Sequence, residues 1–132
     1  MDHEIIEKLK KIAGEITKAN EPLRRAGVKK EDITRAFDLL SDAENMLWEL
    51  RDQVEERGVG YPGIRRLEEL LTDMQVEHSL PSIQFLLRVL LQSRTLSSEE
   101  AQERITMASV SLRKFQAALA ALERELGKTP TL

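Results

Sequence analysis

Apolar residues recur along this chain in alternating steps of four and three, the spacing that places them on one stripe of a helix and lets neighbouring helices mesh in a left-handed bundle. Ile5, Leu9, Ile12, Ile16, Ala19 and Leu23 form the first such stripe. It predicts a helix over residues 3–19, with Asp2 as N-cap and Gly14 as a weak point. Pro22 should end or kink this helix, because proline lacks an N–H and crowds the preceding turn, and Gly27 closes the segment. Ala36, Leu40, Ala43, Leu47, Leu50 and Val54 make the second stripe and predict a helix over 32–57. Ile33, Phe37 and Trp48 widen it on one flank, and Leu39 and Met46 on the other. An apolar arc that broad belongs to a helix with more than one neighbour.

Residues 58–63, Gly-Val-Gly-Tyr-Pro-Gly, are the clearest break and read as a helix–helix connection. Ile64, Leu67, Leu71 and Met74 predict a third helix over 64–77, and Ser79-Leu80-Pro81 predicts a stop and restart. The fourth helix, 82–93, is different in kind. Ile83, Phe85, Leu86, Leu87, Val89, Leu90 and Leu91 leave it apolar on nearly every side, so it should be a buried or bridging element. In the fifth, Ala101, Ile105, Ala108, Leu112, Phe115, Leu119, Leu122 and Leu126 hold the four–three step. Ser97 with Glu100 reads as its capping box, Gly127 as its stop, and residues 128–132 as a frayed tail. The expected fold is all-α: an antiparallel bundle of about five helices forming one domain over 1–132.

Composition adds limits. The chain has 132 residues, 41% hydrophobic and 33% charged, with no cysteine, so disulfides, thiolate metal sites and cysteine nucleophiles are absent together. The start, Met1-Asp2-His3-Glu4, lacks the pattern of a signal peptide, and no stretch approaches the ~20 apolar residues of a membrane span. A cytoplasmic protein is expected.

Net charge is −3, unevenly spread. Residues 1–30 carry 8 basic and 5 acidic side chains, and residues 31–57 carry 3 and 9. A basic helix followed by an acidic one suits two antiparallel neighbours.

The search for chemistry yields little. His3 and His78 form no metal-binding pair, and His78 reads as a helix-end histidine. No Gly-x-Ser-x-Gly element or phosphate-binding glycine loop occurs. The all-α nucleotide pyrophosphohydrolases hold Mg²⁺ with Glu-x-x-Glu on one helix and Glu-x-x-Asp on another. This chain has Glu49-Leu50-Arg51-Asp52, with Glu68, Glu69 and Asp73 further on but without the first pair. No catalytic residue, metal ligand or cofactor is therefore expected, and a Mg²⁺-dependent nucleotide hydrolase ranks third among the readings.

Two features point instead to partners. Glu44 and Arg51 fall inside the broad apolar arc beside Trp48, where a charged pair either lies along an intramolecular seam or meets another chain. On the far side of the fifth helix, Met107, Val110, Ala117 and Ala121 are unusually non-polar, suited to close approach by the fourth helix or by a second copy. The leading expectation is a non-enzymatic protein that binds another protein chain or itself as a homodimer. The alternative is a helical subunit of a nucleic-acid complex, contacting phosphates through Arg24, Arg25, Lys29 and Lys30.

Overall fold

The computed structural model describes residues 3–57, 62–77 and 79–128. Five helices follow one another: α1 (His3–Leu23), α2 (Lys30–Arg57), α3 (Pro62–Glu77), α4 (Leu80–Gln92) and α5 (Glu99–Lys128). The described residues contain no strand.

The five helices make four columns. Lys8 near the start of α1 pairs with Glu49 near the end of α2, Nζ to Oε2 at 3.3 Å, so these two run antiparallel. Arg51 of α2 reaches Gln75 of α3, Ser41 reaches Gln84 of α4, and Lys30 reaches the Leu91 carbonyl. As α2 is read backwards, its partners advance through α3 and then α4. These two short helices are thus successive halves of one column antiparallel to α2. Gln116 of α5 donates to Thr17 Oγ1 of α1 at 2.8 Å, joining the fourth column to the first. The result is an up-down-up-down bundle in which α1 and the broken α3–α4 column both pack between α2 and α5.

The stripes read from the sequence are the core. Every described stripe residue of α1, α2 and α5 is at most 4% exposed, and Leu71 and Met74 of α3 join them. The side chains of Ile64, Leu67 and Leu126 lie outside what is described, as do the Asp2 cap, residues 58–61, His78 and residues 129–132.

Of the two roles expected for the apolar helix, α4 takes the bridging one. It packs on both long helices through Leu80, Ile83, Leu87 and Leu90. Leu86, Val89 and Leu91 are half-buried, and Phe85 points outward at 64% exposure.

Several helix ends differ from the expected ones. Pro22 does not stop α1 but sits in its last turn, where Arg25 N–H still reaches the Pro22 carbonyl, and Gly27 at φ 73° turns the chain out. α2 starts at Lys30, two residues early, because Asp32 reaches back to accept the Lys29 N–H at 3.0 Å. The α5 cap is Ser98 rather than Ser97: Ser98 Oγ accepts the Ala101 N–H at 3.1 Å, whereas Ser97 bonds Thr95. Gly127 does not end α5, which continues to Lys128.

Candidate functional site

The column that α2 and α5 embrace is broken at Ser79, whose backbone is extended (φ −71°, ψ 116°). Pro81 follows in the first turn of α4, where its missing N–H costs nothing. A continuous helix would fill the space beside the break. The interruption instead leaves a groove of about 230 Å³ between α2 and the two halves of the column. Leu47, Leu80 and Phe115, all buried, form its floor. Glu44, Trp48 and Arg51 form one wall, and Gln75, Val76 and Pro81 lie opposite.

The three α2 residues singled out from the sequence therefore stand together. Helical spacing puts them on one face, since 44, 48 and 51 are steps of four and three. Arg51 ties the wall to its neighbours. Its guanidinium lies 5.5 Å over the Trp48 ring, its Nη1 donates to Gln75 Oε1 at 2.9 Å, and its Nε is 3.7 Å from Glu55. The charged pair does lie along an intramolecular seam, between α2 and α3, but that seam opens outward.

The groove is rimmed by apolar side chains that the fold leaves out. Among the described residues the exposed large hydrophobics are Trp48, Val76, Phe85 and Met107. Trp48 and Val76 flank the groove, and Phe85 stands one helical turn beyond Pro81. Sequence reasoning missed Val76 and Phe85. Their signal was present: at ~100° per residue, Val76 sits ~200° from core Met74 and Phe85 ~200° from core Leu87.

The α5 stripe does not form a comparable surface. Met107 is exposed and Val110 half-buried, while Ala117 and Ala121 are exposed further along the helix. Ala121 lines a second groove, about 420 Å³, with Leu70 and Met74 of α3 and a rim of Asp73, Glu77, Arg124 and Glu125. At this end of α5 the small residues thus stand beside α3 rather than α4.

The basic turn lies at the end of the bundle remote from α3. Arg24, Arg25, Lys29 and Lys30 are all exposed. Arg25 is tied to Glu21 at 2.8 Å, and Lys30 reaches the Leu91 carbonyl at 3.3 Å. That second contact brings the α4–α5 connection, with exposed Arg94, beside the turn.

Glu49 is turned to Lys8, and among the described residues no group of three or more metal-ligating side chains comes together. Glu15 of α1 faces Asp42 of α2. Burial and the Asp42 carboxylate push its pKa above the usual range against the pull of Lys11 and Lys18. No helix among the described residues is long and apolar enough to cross a membrane.

No protein-family model matches this chain, and no curated protein or solved structure matches it.

Proposed function

We propose that this protein works by binding another protein chain at the groove beside the α3–α4 break. One observation carries the reading: of the four large apolar side chains left exposed among the described residues, Trp48 and Val76 both line this cleft, which has a buried floor. Singly exposed apolar residues are ordinary, but apolar residues grouped around a concave site mark a place where another surface is covered. Trp48, with the Arg51 guanidinium over its ring, is the type of residue that anchors interfaces. The volume is below the ~300–1,000 Å³ of small-molecule pockets, and suits an anchoring side chain of a larger partner.

The test is site-specific photo-crosslinking in the native cells. A benzophenone amino acid at position 76 should give a discrete adduct with a second polypeptide. The same group at exposed position 113, on the outer side of α5, should not. Equal labelling at both positions, or none at 76, sinks the proposal.

The nucleic-acid reading has a narrower support, the addition of Arg94 to the basic turn. Salt-sensitive binding of RNA or DNA that is lost in the Arg24→Ala, Lys29→Ala, Arg94→Ala triple variant is its expected result.

A further inference from the structure

Three grooves meet along the C-terminal end of α3. The groove beside Trp48 borders Thr72, Gln75 and Val76. The second, about 420 Å³, borders Asp73, Met74 and Glu77. A third, about 310 Å³, lies between α4 and α5 beside the break and borders Val76 and Glu77. Each of residues 72–77 thus lines at least one groove. The first and third grooves share Val76 and Ser79, and the second and third share Glu77, so this stretch is the partition between them.

We infer that residues 72–77 are a gate, which lifts from α2 and α5 about Ser79 and joins the three grooves into one trough floored by Leu47, Phe115 and Leu122. The gate is a property of the chain alone and needs no partner.

Little holds the stretch down. Of its six side chains only Met74 is buried, and methionine is unbranched and adapts to more than one packing. Asp73, Val76 and Glu77 are exposed. Gln75 Oε1 accepts the Arg51 Nη1 hydrogen bond across the α2 seam at 2.9 Å. Lifting therefore uncovers one core side chain and breaks that bond, whereas lifting α4 would uncover Leu80, Ile83, Leu87 and Leu90. Leu71, 1% exposed, stands one residue before the gate and anchors the rest of α3. On the other side the extended backbone of Ser79 interrupts the helical ladder, so α4 need not move with the gate.

Hydrogen exchange on the intact chain tests the gate. Protection of the amides of residues 73–77 should be at least about tenfold below that of residues 86–90 in α4. A covalent lock separates gate motion from simple fraying of a helix end. The chain has no cysteine, so Arg51→Cys and Gln75→Cys can be joined selectively by a bis-maleimide spacer. Joining should raise protection of 73–77 at least about tenfold and leave 86–90 unchanged. The trough is read separately. Leu47→Cys, beside the gate, should react with a bulky thiol reagent at least about tenfold faster than Leu9→Cys, the same truncation in the core of α1.

Equal protection of 73–77 and 86–90 in the unmodified chain would overturn the gate, whether or not the variants fold. Rates left unchanged by the lock would overturn it too, since the exchange would then be fraying of α3. Equal labelling of the two cysteines would overturn the trough.

Discussion

The guanidinium of Arg51 lies 5.5 Å over the ring of Trp48 while its Nη1 holds Gln75 of the neighbouring helix. One side chain thus fixes the exposed ring and ties α2 to α3. A cation over an indole face contributes about 0.5–1 kcal/mol at an exposed site. Arg51→Met keeps much of the aliphatic packing and removes the contacts with the Trp48 ring, Gln75 and Glu55. It should cost about 1–2 kcal/mol of stability and make Trp48 fluorescence easier to quench with acrylamide. Arg51→Lys should not restore the quenching protection, since an ammonium cannot lie flat on the ring and reach Gln75 together. Unchanged quenching in both variants would show that the ring is held by other contacts.

A pH effect follows from the carboxyl pair between α1 and α2. Burial and Asp42 raise the pKa of Glu15, and its Oε2 is enclosed without a hydrogen-bond partner. A carboxyl whose folded pKa is raised favours the folded state fully at pH below its unfolded pKa, and that contribution disappears as pH rises through the folded value. Ionised at pH above its folded pKa, Glu15 therefore opposes folding. Glu15→Gln should stabilise the protein by about 0.5 kcal/mol at pH 7, with the gain vanishing at about pH 4. Urea unfolding at the two pH values reads it. A gain that is equal at both would mean that repulsion from Asp42 is not the cause.

The core was legible from spacing alone because a four–three stripe has one physical solution, burial against other helices. Ile5 through Leu23 and Ala36 through Val54 show this, each stripe residue being at most 4% exposed. Glu44, Trp48 and Arg51 were legible as a group for the same reason, since helical spacing alone makes them neighbours. What lies across from them was not. Val76 and Pro81 reach the groove only because α3 and α4 share one column, and that follows from long-range pairing such as Arg51–Gln75 and Ser41–Gln84. The composition of α4 misled in a specific way: seven apolar residues in nine suggested cover on all sides, yet Phe85 is 64% exposed. Apolarity records a preference for burial and cannot say whether the same chain provides it.

Helix ends were less legible than helix faces, and the start of α5 allows a direct test. Ser97 and Ser98 are adjacent and equally suited to capping by type, but only Ser98 Oγ accepts an amide of the first turn, that of Ala101. Ser98→Ala should cost about 1 kcal/mol in thermal or denaturant unfolding. Ser97→Ala removes only the exposed contact with Thr95 and should cost less than half of that. The reverse order would move the cap one residue back and restore the pairing of Ser97 with Glu100.

Asn20 provides the sharpest test of packing. It is 2% exposed near the end of α1, and neither Oδ1 nor Nδ2 finds a hydrogen-bond partner. Its neighbours on the helix, Ile16, Ala19 and Leu23, are core residues, so the amide is enclosed by apolar groups, where an unmet hydrogen bond is costly. Leucine has a similar size and no polar atom to satisfy. Asn20→Leu should therefore raise stability by about 1–2 kcal/mol, visible as a higher denaturant midpoint at unchanged m-value. Asn20→Asp should lower it by more than that, because an ionised carboxylate at the same place is still harder to desolvate. If Asn20→Leu destabilises instead, the amide must be satisfied in solution. A buried water bonding Oδ1 and Nδ2 is then the expected cause, and slow solvent exchange at the Asn20 side-chain amide would reveal it.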